Sequence, residues 1–105
     1  MAKRRLFTVT TPLRYAVFLT RDRWRQIVRQ KHPALAGHEK EVRACLEAPT
    51  QVRQSAKEPE VHLYYRPMDD VHLCVVVAPA EEEERFVVTA YFTKNIKKGT
   101  ELWTS

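Results

Sequence analysis

The run Phe86-Val87-Val88-Thr89-Ala90-Tyr91-Phe92-Thr93 restricts the fold of this chain more than any other segment. Positions 86, 88, 90 and 92 are all apolar, while Thr89, Tyr91 and Thr93 carry hydroxyls. Period-two alternation sends the two sets to opposite faces of a sheet. One face then packs on a core and the other presents a row of hydrogen-bonding groups. In a chain so rich in arginine, that row points to a surface that handles phosphate.

At 105 residues the chain, 1–105, reads as a single domain, small but large enough to bury a core of its own. It has only two glycines and neither a GxGxxG nor a GxxxxGK[ST] motif, so a glycine-rich phosphate cradle is excluded. The net charge of +5 understates an asymmetry. Outside Glu81–Glu84, eighteen basic residues face nine acids. From Met1 to Lys31 there are nine Lys/Arg and one acid, Asp22. Such a stripe is the footprint of a polyanion partner; the alternative is a solvated basic face. Cys45 and Cys74 sit among apolar neighbours with no CxxC or zinc-type spacing, as expected of buried reduced thiols in the cytoplasm. Neither a metal nor a cofactor is called for. The charged start at Met1 leads only into Leu6-Phe7, too short an apolar run for a secretory leader or a membrane span.

Leu6–Val9 and Tyr15–Leu19 are β-prone runs, and residues 1–19 read as a basic N-terminal strand or arm. Thr20 is a good N-cap for a helix over Arg21–Lys31, with Asp22 in its first turn. Trp24, Ile27 and Val28 make its apolar face; Arg21, Arg25 and Arg29 stack on the other side. Pro33 predicts a stop at His32. A second helix is predicted from about Gly37 to Glu47, with His38, Val42, Cys45 and Leu46 inward. Strands follow at Gln51–Ser55, Val61–Arg66, Val71–Ala78 and Phe86–Thr93; Leu102-Trp103 is a last short strand or a packing clamp. The expected fold is α+β: two N-terminal helices packed on one face of a three- to five-stranded antiparallel sheet.

With Val52, Leu63 and Val88 taken as core, alternation places Arg53, Ser55, His62, Tyr64, Arg66, Thr89, Tyr91 and Thr93 on one open face. Metal-free RNA cleavage needs such parts: a base for the 2′-OH, an acid for the leaving oxygen and cationic donors for the phosphorane. His32 is the best acid/base candidate, its alternative being a helix-capping histidine. His38 reads as a satisfied, partly buried histidine. His62 and His72 lack a third ligand and so make a poor metal site. Arg66 is a phosphate clamp or a strand-end surface arginine. One of Tyr64 and Tyr65 is core and the other is free to stack on a base. Thr89, Tyr91 and Thr93 equally suit an ordinary solvent face.

The ordered set His32-Pro33-x-Leu35, Glu39 to Leu46 closing on Ala48-Pro49, Val52-x-x-Ser55, Leu63-Tyr64-Tyr65-Arg66, Leu73-Cys74-Val75-Val76-Val77 and Val87-Val88-Thr89-Ala90-Tyr91 resembles a phage-associated branch of the barnase/EndoU/colicin/RelE-like nuclease superfamily. The resemblance covers about Trp24 to Trp103. It implies a small metal-independent ribonuclease, toxin-like in many relatives, with helices preceding a four-stranded antiparallel sheet. By it, His32, Arg53 or Ser55, Tyr64, Arg66 and Thr89 are the catalytic candidates. RNA is the expected partner, tracked by Arg21, Arg25, Arg29, Tyr91, Lys94, Lys97 and Lys98, with a neutralising antitoxin or immunity protein as a second. The rival expectations are a catalytically inactive RNA-binding or protein-interaction domain of the same fold, and a DNA-associated protein using the basic arm.

Overall fold

In the computed structural model, which describes residues 4–105, seven strands form one mixed sheet. They are β1 (Arg5–Thr10), β2 (Ala16–Thr20), β3 (Gln51–Gln54), β4 (His62–Met68), β5 (Val71–Pro79), β6 (Arg85–Thr93) and β7 (Glu101–Thr104). Their spatial order is β1-β2-β6-β5-β4-β3-β7. Every pairing is antiparallel except β2–β6, which is parallel. Two short helices, α1 (Arg21–Gln26) and α2 (Glu39–Glu47), lie between β2 and β3 in the chain.

This overturns the expectation of two leading helices on a three- to five-stranded antiparallel sheet. The described part of the N-terminal segment is no arm: it is a β-hairpin built into the sheet. The reason is visible in its alternation. Phe7 and Val9 on β1 and Val17 and Leu19 on β2 are all buried, so the hairpin has a core face of its own. Residues 1–3 of that segment lie outside the described residues.

The helices keep the predicted signals but are shorter. The Thr20 hydroxyl accepts from the Arg23 N–H at 3.1 Å, capping α1. After Gln26 the chain widens into a π-helical turn over Ile27–Lys31, closed by the His32 N–H on the Ile27 carbonyl at 2.7 Å. Pro33 has no N–H to offer and pushes His32 out of helical geometry, to φ −137° and ψ 74°. A single 3₁₀ turn, Pro33–Leu35, then leads toward α2. Val42, Cys45 and Leu46 face inward from α2, which packs on β1, β4 and β5. His38 stands at the helix N-terminus, half-buried, its ring edge-on to Phe92 at 5.5 Å and its Nδ1 2.8 Å from Glu41.

Both faces of the central strands are covered. On the helix side, Tyr64, Leu73, Val75, Val77, Val87 and Ala90 join the main core with Trp24, Ile27 and Leu35. On the far side, Leu63, Tyr65 and Cys74 form a second cluster with Val76, Tyr91 and Ile96 packed on it. Between them, β6 carries a bulge. Val76 pairs with Thr89 but Val77 pairs with Val87, so Val88 is the extra residue. The alternation predicted from Phe86 onward therefore breaks at Val88: Val87 is the buried one, and Phe86 shares the far face with Thr89, Tyr91 and Thr93.

A buried hydroxyl chain ties the β1–β2 hairpin to β4. Tyr64 and Thr11 hydroxyls lie 2.7 Å apart, Tyr64 and Tyr15 hydroxyls 2.6 Å, and Tyr15 Oη lies 2.7 Å from His62 Nδ1. Arg85 lies over the Tyr15 ring at 4.7 Å. Burial, and then the charge of Arg85, hold the His62 imidazole down at about 4, so it is neutral and accepts from Tyr15. In the unfolded chain the same group titrates near 6.5. The unfolded state thus binds the extra proton between those values, and stability falls as pH drops from about 6.5 to about 4. Since His62 is half exposed, solvent screening limits the loss to about 1–2 kcal/mol. Urea unfolding at pH 7 and pH 4.5 should show it, and His62→Gln should flatten the difference.

Candidate functional site

β2 pairs with β6 only at Arg85 and Phe86. Beyond that point the free edge of β6 is covered by α1 and the Pro33–Leu35 turn. This brings His32 to the far face of the sheet, where its ring lies 5.7 Å from that of Tyr91, tilted by 36°. The imidazole makes no hydrogen bond to a helix carbonyl among the described residues, so the capping alternative has no support in the geometry.

The loop after β6, residues 94–100, crosses the same face. Ile96 packs on the Leu63–Tyr65–Cys74 cluster, the Lys97 N–H donates to Tyr65 Oη at 3.1 Å, and Lys97 Nζ stands 5.5 Å from the Tyr91 ring centre. Lys94 and Lys98 are exposed beside it. The return of the loop is anchored on β3: Gln54 N–H donates to the Thr100 carbonyl at 2.8 Å, and Arg53 donates to the Gly99 carbonyl at 3.1 Å. A Cβ at Gly99 would collide with the Gln54 carbonyl oxygen. Gly99→Ala is therefore expected to destabilise the fold by about 2 kcal/mol in urea titrations.

Beneath the loop, three buried polar atoms have no hydrogen-bond partner among the described residues: His72 Nδ1, Thr89 Oγ1 and Tyr91 Oη. They belong to facing positions of β5 and β6, His72 opposite Thr93, Cys74 opposite Tyr91 and Val76 opposite Thr89. An unpaired buried polar atom costs about 1–3 kcal/mol, so their grouping asks for a reason. Burial keeps the two phenols and the thiol protonated: Tyr91 is raised, Tyr65 is pushed up to about 12 and Cys74 to about 11.

The structure thus gathers His32, Thr89, Tyr91 and Lys97, but not the other candidates. Tyr64 is fully buried on the opposite face, its hydroxyl engaged with Thr11 and Tyr15. His62 shares that face. Arg66 donates to the Ala48 carbonyl at 2.6 Å, closing the C-terminus of α2. Arg53 lies on the far face but is held by Gln51 Oε1 at 2.7 Å and by Gly99. Ser55 Oγ accepts from the Glu58 N–H in the β3–β4 connection. His72, Tyr65 and Cys74 were weighed in the sequence as a weak metal ligand, a core or stacking ring and a buried thiol, but not as neighbours of Tyr91; the position of His72 two residues from Cys74 was the available signal that they share a face.

Toward the start of β6, Phe18, Phe86, Arg23, Arg25 and Arg29 line a cleft of about 610 Å³ between α1, β2 and β6. Arg25 and Arg29 also border a smaller cleft, with Arg21, Trp24 and Val28. No described helix is long and apolar enough to cross a membrane, and no group of three metal-ligating side chains occurs among the described residues. In comparisons with known families, curated proteins and solved structures, the chain matches none.

Proposed function

We propose that this protein is a metal-independent endoribonuclease-like domain, toxin-type, that cleaves RNA by attack of the 2′-hydroxyl on the neighbouring phosphorus. One observation carries the reading: an imidazole and an ammonium, from two separate segments, meet at the ring of Tyr91 on one sheet face. His32 takes the 2′-OH proton as the 2′-oxygen bonds to phosphorus. The bond from phosphorus to the 5′-oxygen breaks, and that oxygen takes a proton from solvent. Lys97 offsets the charge that builds on the phosphorane. Lys94 and Lys98, with Arg21, Arg25 and Arg29, hold the flanking phosphates. The test is incubation of the purified protein with mixed RNA in EDTA. Fragments ending in 2′,3′-cyclic phosphate are expected, with binding that weakens steeply between roughly 50 and 200 mM salt. Expression without a neutralising antitoxin or immunity partner is expected to impair growth.

A second reading has one observation in its favour. The hydroxyls of Thr89 and Tyr91 are closed off from solvent, which leaves few groups to reach a substrate. An inactive RNA-binding domain of the same fold would bind RNA with that salt dependence, release no cyclic phosphate and leave growth unimpaired.

A further inference from the structure

The cleft between α1, β2 and β6 sets aromatic rings beside more arginines than acids. Its apolar wall is the pair Phe18 and Phe86, both only half buried, with ring centres 6.4 Å apart; Arg5, paired with Glu84, already lies over Phe18 at 3.8 Å, so Phe86 is the ring left for a ligand to stack on. Its rim is cationic. Arg23 stands over Phe86 at 5.5 Å, and Arg25 and Arg29 line the opening. The single acid of the lining, Asp22, is exposed and 3.8 Å from Arg25; Arg23 and Arg29 pair with no carboxylate among the described residues. Aromatic faces beside unpaired guanidinium groups take a flat, electron-rich ring carrying negative charge. An unpaired nucleotide is such a ligand: its base stacks on the aromatic side chain and its phosphate meets the arginines. A base already paired in a duplex offers no free face to the cleft.

The cleft and the site at Tyr91 share strand β6. Phe86 and Tyr91 lie on the same face of β6, about 15 Å apart at the rise of an extended strand. On the other wall, Gln30 lines the cleft and His32 follows two residues later. We infer that the cleft is a stacking subsite for an unpaired nucleotide of single-stranded RNA, a short stretch of chain away from the scissile phosphate. The assignment of RNA rests on the function proposed above; the stacking subsite rests on the cleft alone.

The probe is a fluorescein-labelled 2′-O-methyl decauridylate, which lacks the nucleophile, with its DNA counterpart and a ten-base-pair RNA duplex for comparison. Anisotropy titrations would be run on the wild type, Phe86→Leu and Arg29→Gln, each checked by circular dichroism for an intact fold. Phe86→Leu should weaken binding of the 2′-O-methyl strand about tenfold and leave the salt dependence unchanged. Arg29→Gln should lower the slope of log K against log salt by about 0.7. Wild-type affinity in both variants, or a preference of the wild type for the duplex, overturns the subsite; RNA cleavage lost on His32→Ala would then still stand. Tighter binding of the DNA strand overturns the assignment to RNA. Loss of binding in Phe86→Leu, with no cleavage of any RNA by the wild type, upholds the subsite and removes the catalytic reading instead.

Discussion

His32→Ala should lower RNA cleavage by about 10²–10⁴-fold while leaving the protein folded. The imidazole is half exposed and bonds to nothing in the helices, so its removal costs little structure. Its neighbour explains why it is placed to react. Tyr91 is the side chain on which His32 and Lys97 both rest, and it projects from a central strand paired along most of its length with β5. The chain reaches this point because Pro33 ends the helix and the π-helical turn brings His32 past the covered edge of β6 to the ring of Tyr91. Initial rates under EDTA, with a parallel measurement of RNA affinity, check the expectation. A fall in rate at unchanged affinity assigns His32 to proton transfer. A fall in stability with an unchanged rate would return it to a purely structural role.

Tyr64→Phe should do the reverse: a loss of about 1–3 kcal/mol in stability with no change in cleavage rate. Its hydroxyl links Thr11 to Tyr15, which in turn reaches His62, and no part of it reaches the face that carries Tyr91. Without that link, the hydroxyls of Thr11 and Tyr15 each lose a partner, and the β1–β2 hairpin keeps only the Tyr15–His62 bond of this chain as its polar anchor to β4. Urea unfolding with the cleavage assay reads both quantities. Cleavage lost at full stability would bring Tyr64 into the reaction and remove the distinction between the two faces.

That distinction also measures how far the sequence could be read. Thr89, Tyr91 and Thr93 were legible as one face because the strand is regular beyond the bulge. The basic character of the segment that follows them was legible from Lys94, Lys97 and Lys98. The faces of β4 were not. Apolar Leu63 looked like core, which sent Tyr64 outward. In fact both sides of the centre of the sheet are covered, and Leu63 is buried with Tyr65 under the 94–100 loop. Where both faces are apolar, hydrophobicity no longer marks direction. Val88 misled in the same way, since one inserted residue reverses the parity of everything before it. The fold class failed for a different reason. Leu6–Val9 and Tyr15–Leu19 were visible as strands, but their docking on β6 in parallel depends on contacts far apart in the chain, and no local pattern encodes it. Arg53 and Arg66 have the right charge for phosphate, yet the carbonyls of Gly99 and Ala48 already occupy them.

Backbone amide shifts of isotopically labelled protein, titrated with the 2′-O-methyl decauridylate, test most directly whether the sheet surface under the 94–100 loop is where RNA binds. Movement at His32, Thr89, Tyr91 and Lys97, with Thr11, Tyr15, His62 and Tyr64 still, is the predicted result. Shifts confined to the Tyr15–Tyr64 side, or none at saturating oligonucleotide, would contradict it.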